Sequence, residues 1–215
     1  MEFSLAADHI CLITDDGGPV SVELAQALSS QGWKVVALGF PSTIVAARVP
    51  WPQEIDRVLL ADMSENHLQQ QLAAISSYGP VGAFIHLNPY NGEGGFPESE
   101  KAIVKHVFFL AKHLQPALTT ASHSGRSCFL AVTHLDGEFG LGQTADYGAI
   151  GGGLFGLTKT LHLEWETVFC RAVDLAPDLD AELAAQYILA ELYDPNRLIV
   201  ETGYSLQGRT TLVSE

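Results

Sequence analysis

Two periods of apolar residue alternate along the chain. Short runs in which nearly every position is apolar predict strands buried on both faces: His9–Thr14, Lys34–Leu38, Arg57–Ala61, Val81–Leu87, Ser127–Thr133 and Thr167–Leu175. Between them, apolar residues three and four apart predict helices. Val20–Ser30 puts Leu24, Ala25 and Leu28 on one face, and Gly32 closes it. Ser64 opens a second helix through Ser77, ended by Gly79-Pro80. Glu98–Ala121 is a long third, which Pro116 should bend or end. Gly152–Glu166 is a fourth. Asp180–Tyr193 is a fifth, with Ala181, Ala184, Ala185 and Ile188 turned inward. Pro41–Pro52 and the Gly-rich Asn88–Pro97 read as loops, and Leu198–Tyr204 and Arg209–Val213 as closing strands around Gln207-Gly208. Buried strands alternating with amphipathic helices predict a parallel sheet covered on both faces. Without repeat or linker, that is a single doubly wound, Rossmann-like α/β domain over residues 1–215.

Bulk properties change this picture little. An apolar fraction of 47% with 17% charged residues is that of a folded globular chain. A net charge of −14 without a run of Lys or Arg argues against nucleic acid and anionic membranes as partners. Cys11, Cys128 and Cys170 lie far apart in apolar runs, as buried reduced thiols of a cytoplasmic protein would. No apolar segment approaches the ~20 residues of a membrane span, and Met1–Ile10 has acidic rather than basic residues, unlike a secretory signal. The eight histidines form no metal-ligand spacing. His106 and His113 lie two turns apart on one helix and are expected to be solvated.

The first strand runs into Thr14-Asp15-Asp16-Gly17-Gly18-Pro19-Val20-Ser21. In this position a Rossmann domain cradles pyrophosphate on glycine backbone and a helix N-terminus. Thr14, Gly17 and Gly18 are the candidate cofactor-binding residues, but no register yields G-x-G-x-x-G. Anchored on Thr14, the T-G-x-x-x-G-x-G pattern of short-chain dehydrogenases would need glycines where Asp15, Pro19 and Ser21 stand. Pro19 also removes an N–H. Each carboxylate beside a pyrophosphate would cost on the order of 4 kcal/mol at ~4 Å with an effective dielectric of ~20. After the second strand, Gly39-Phe40-Pro41 offers no ribose-binding acid, and Arg48 is only loosely near.

The second candidate constellation follows the fifth strand. Thr133-His134 ends the strand, and Tyr147 stands before the fourth helix. Short-chain dehydrogenases donate a proton from such a Tyr, with a Lys one turn on and a Ser at the strand end. Here Gly151 replaces the Lys and His134 the Ser. Some ketoreductases draw the Lys from the preceding long helix, where Lys105 and Lys112 are available, but they then carry Asn at the turn-on position. Tyr147, Thr133, His134 and Lys105 are the catalytic residues if the chain is an enzyme. Otherwise Tyr147 packs at the helix start.

The helix Gly152-Gly153-Leu154-Phe155-Gly156-Leu157-Thr158-Lys159-Thr160-Leu161, its continuation Glu164-Trp165 and the strand Val168–Leu175 ending in Asp174-Leu175 carry a resemblance. So does the tail Asp194-Pro195-Asn196 to Glu201-Thr202-Gly203-Tyr204 with Gly208–Leu212. They resemble the ketoreductase regions of polyketide synthases and polyunsaturated fatty acid synthases, strongly over about residues 137–212 and by topology before that. The resemblance implies a structural, pseudo-ketoreductase subdomain without a working nucleotide site, needing no cofactor. Its implied partner is a catalytic, NADPH-binding ketoreductase half or another synthase domain, with a homodimer as a further possibility. The alternative implied is an active NADPH-dependent β-ketoacyl reductase with a diverged site. The implied contact face is the long helix pair, with Phe109 and Phe155 on or beside an apolar patch.

Overall fold

The computed structural model describes residues 5–89, 98–142 and 151–212. One sheet runs through them in the order β3-β2-β1-β4-β5-β6-β7-β8. Its strands are β1 (Ile10–Asp15), β2 (Lys34–Gly39), β3 (Asp56–Leu59), β4 (Val81–Leu87), β5 (Cys128–Thr133), β6 (Phe169–Leu175), β7 (Glu201–Ser205) and β8 (Gly208–Thr211). The first seven pair in parallel, and β8 returns antiparallel on β7. The helices are α1 (Pro19–Ser30), α2 (Glu65–Ile75), α3 (Glu98–Ala121), α4 (Gly151–Glu164) and α5 (Ala181–Tyr193). The doubly wound Rossmann-like α/β fold expected from the alternation is the fold observed.

Local chemistry sets the helix ends. Pro19 stands in the first turn of α1, where its missing N–H costs nothing. At the other end Gly32 takes φ +85°, its N–H reaches Ser29 O, and Trp33 N–H reaches Leu28 O, a Schellman closure. Ser64 Oγ caps α2 at His67 N–H, and Asp180 caps α5 at Leu183 N–H. Pro116 lies inside α3, which continues past it to Ala121.

Both sheet faces are covered by apolar packing. Cys11 and Ile13 of β1 face one core with Leu24 and Leu28 of α1 and Ile188 and Leu192 of α5. Ile10 and Leu12 face the other, with Val107 and Leu110 of α3 and Leu154 and Leu161 of α4. This double burial is why the central strands read as continuous apolar runs rather than alternating ones. All three cysteines are buried and free. Among the described residues no helix is long and apolar enough to cross a membrane, and no metal-binding group of side chains occurs.

Three placements depart from expectation. His106 is fully buried rather than solvated, with its ring edge-on to Phe40 at 6.0 Å. Phe155 is core: it packs with Leu135, Ala172 and Phe139 beneath the loop after β5. The ring exposed on the α3 face is Phe108, at 52%, not Phe109, which is half-buried under Lys105 Nζ. The chain also buries a charge network. Arg171 of β6 is sealed between Glu191 of α5, Asp194 and the carbonyl of Asn196. Glu191 in turn accepts from Tyr204 Oη and from Arg209 Nε, linking β6, α5, β7 and β8.

Candidate functional site

Strand order reverses between β1 and β4, and loops leaving the carboxyl ends of the strands there form a crevice. A cavity of about 580 Å³ lies beside it, lined by Asp16–Val20, Ile44–Ala47, His134 and aliphatic residues around Ala176–Ala184. That volume suits a small ligand. Its walls are aliphatic apart from Asp16, His134 and the turn backbone.

The turn after β1 satisfies itself. Gly17 N–H donates to Asp15 Oδ1 at 2.8 Å, and Gly18 N–H donates to Asp16 Oδ1 at 3.0 Å. Ser21 Oγ also donates to Asp16 Oδ1, at 2.6 Å. Burial raises the Asp16 carboxyl above its ordinary range, against the pull of those hydrogen bonds. Asp15 is wholly buried and paired with Arg48 at 2.8 Å and with Arg57. Gly17 adopts φ +85°, and a Cβ there would meet the Val45 side chain and the Ala47 carbonyl. Val49 N–H donates to Gly17 O at 3.0 Å, so the proline-rich segment lies against the turn. Thr14 faces the other way: its hydroxyl bonds His86 Nδ1 at 2.9 Å, donates to Leu87 O and accepts from Leu87 N–H. Burial pushes the His86 ring down to about 3, so it is neutral at pH 7.

The loop after β5 is built around two other carboxylates. Asp174, at the end of β6, accepts from Leu135 N–H at 2.7 Å, Phe139 N–H at 2.9 Å, Asp136 N–H at 3.4 Å and Thr133 Oγ1 at 3.2 Å. Asp136 accepts from the N–H groups of Glu138, Gly140 and Gly142. Burial outweighs these donors at Asp174 and pushes its carboxyl up to about 6. Gly137, at φ +74°, lets this loop touch the Tyr204 carbonyl.

Among the described candidate catalytic residues, Lys105 lies apart from Thr133 and His134. Thr133 is buried, and its hydroxyl is spent on Asp174. His134 lines the cavity, half-buried, and desolvation lowers its ring to about 4. Lys105 is exposed on α3 and does not line the cavity. Lys112 pairs with Glu65 at 2.8 Å. Tyr147 lies outside the described residues. Gly17 and Gly18 do sit at the crevice, with their N–H groups already engaged. Sequence reading missed the convergence of Arg48 and Arg57 on Asp15 and the organising role of Asp174. Its only signal for the latter was an Asp ending an apolar strand.

No protein-family model matches the sequence. The chain is 32% identical over 209 residues to one subunit of the polyunsaturated fatty acid synthase of Thraustochytrium sp.. The match covers 94% of this chain and 7% of that protein, so the chain spans a small part of its relative's length. Among solved structures it is similar to a variant of actinorhodin polyketide ketoreductase with NADPH, with TM-score 0.67 and 16% identity over 90% of this chain and 94% of the other. It is also similar to 3-ketoacyl-(acyl-carrier-protein) reductase from Brucella melitensis complexed with NADH, with TM-score 0.65 and 20% identity over 89% and 93% of the two chains. The chain thus has the fold of the short-chain dehydrogenases and reductases. In sequence it is similar to a segment of a polyunsaturated fatty acid synthase subunit.

Proposed function

We propose that this domain is a non-catalytic structural subdomain that supports the NADPH-dependent ketoreductase of a polyketide or fatty-acid synthase. The observation that carries the reading is the turn after β1. The N–H groups of Gly17 and Gly18 are held by the carboxylates of Asp15 and Asp16. A dinucleotide's pyrophosphate needs those same donors and would have to displace the carboxylates that already hold them. The residues present do not fit that group. The relative's name, that of a polyunsaturated fatty acid synthase, supports the synthase setting. A domain that has given up its cofactor turn keeps its fold for what it touches. The face that fits a catalytic half is the α3–α4 side, where the Phe108 ring stands exposed above a shallow groove with Leu161 and Trp165. A second copy of the chain is the other candidate for that face.

The competing reading is an active NADPH-dependent β-ketoacyl reductase, favoured by the position of Tyr147 before α4 and by the reductases among its structural neighbours. A Tyr147→Phe variant separates the two. With NADPH and a β-ketoacyl thioester, the structural reading predicts the same rate as wild type. A fall of about 10²–10⁴-fold in folded protein would make Tyr147 the proton donor and overturn the structural reading.

A further inference from the structure

The two guanidiniums at the amino-terminal turn arrive from separate places. Arg48 comes from the proline-rich segment and Arg57 from β3, yet both end on Oδ2 of Asp15. Gly17 N–H closes on the other oxygen at 2.8 Å. Arg48 is further held by the Phe40 carbonyl. The arginine side chains are only 15% and 24% exposed, and Asp15 is fully enclosed. Two guanidiniums and a backbone N–H thus converge on the two oxygens of one carboxylate, which is the chemistry of an oxyanion receptor. The chain has only 11 Lys and Arg against 25 Asp and Glu, so two arginines on one buried acid form a concentrated positive feature.

We propose that Arg48, Arg57 and the Gly17 N–H form a small-oxyanion receptor whose resident anion is the protein's own Asp15 side chain. The receptor does two things. It holds at the end of β1 a negative charge that comes from the chain itself. It also fastens the proline-rich segment against the turn, where Val49 N–H meets the Gly17 carbonyl at 3.0 Å. This deepens the non-catalytic reading without depending on it for its test.

The test is chemical rescue. Asp15→Ala removes the resident carboxylate and leaves space for a replacement. Asp15→Asn removes the charge but fills the space. Thermal melts of the full chain are compared in sodium formate and in sodium chloride at equal ionic strength. Asp15→Ala should melt several degrees higher in formate, saturably, while wild type and Asp15→Asn show no formate-specific shift. Adding Arg48→Gln to the Ala variant should abolish the gain. If Asp15→Ala does not fold in chloride, its refolding yield in formate against chloride reads the same quantity. No formate-specific gain in melt or yield would overturn the receptor, and so would an equal gain in wild type or in Asp15→Asn. Tight NADPH binding by wild type would overturn the structural-subdomain reading and leave the receptor standing; failed rescue would do the reverse.

Discussion

The turn after β1 and the loop after β5 leave the same carboxyl end of the parallel sheet, and each is organised by acids. They treat the charge differently. In the turn, Asp15 meets two guanidiniums as well as a backbone N–H. In the loop, Asp174 accepts from three backbone N–H groups and the Thr133 hydroxyl. Dipolar donors fix where a loop runs, but they neutralise a buried carboxylate less completely than a cation does. Asp174 accordingly has its carboxyl pushed up to about 6 by burial, hydrogen bonds notwithstanding. Both loops spend backbone donors on the chain's own acids.

The largest effect should come from the loop. Asp174→Ala would leave the N–H groups of Leu135 and Phe139 without their acceptor over the Phe155 cluster. At about 1–3 kcal/mol for each unsatisfied buried group, the loss should be on the order of 4 kcal/mol in a urea melt. A loss under about 1 kcal/mol would mean that the loop holds itself without Asp174.

Next comes the pH dependence of the same group. The folded carboxyl, near 6, binds its proton more tightly than the ordinary value of 3.8. Between those values the folded state therefore carries the extra proton, so Asp174's contribution to stability falls as pH rises through the window. Other acids oppose this trend: Asp62, Glu65 and Asp194 are lowered and favour the folded state as pH rises. The difference between wild type and Asp174→Asn isolates the group. Wild type should lose ground to the Asn variant from pH 4 to pH 7, by about 3 kcal/mol at most. A pH-independent difference would contradict the assignment.

The smallest effect should be at the turn's second acid. Asp16→Asn keeps an oxygen for Gly18 N–H and Ser21 Oγ and removes a charge that burial disfavours. Its cost should be no more than about 1 kcal/mol. A loss of several kcal/mol would show that the charge itself holds the turn.

Much of the fold was legible because both periods were clean. Glu98–Ala121 and Val81–Leu87 fall on the residues expected, and most other ends move by one to three positions. The glycine turn was recognisable as acid-bearing, but not as self-satisfied. Arg48 and Arg57 lie 33 and 42 residues from Asp15, and no local pattern reports contacts at that range. His106 and Phe155 were misplaced for a related reason. Each sits on a helix that is apolar around more than one side, so the sequence marks a wide face without saying which part meets the sheet. Asp174 looked like a strand-terminal acid because its donors come from a loop that turns back from 35 to 41 residues earlier.

The turn after β1 is filled by the chain's own acids. Isothermal calorimetry of the wild-type chain with NADPH tests this most directly. A Kd no tighter than about millimolar, roughly −4 kcal/mol, is expected; a micromolar Kd would show that the acids do not exclude the cofactor.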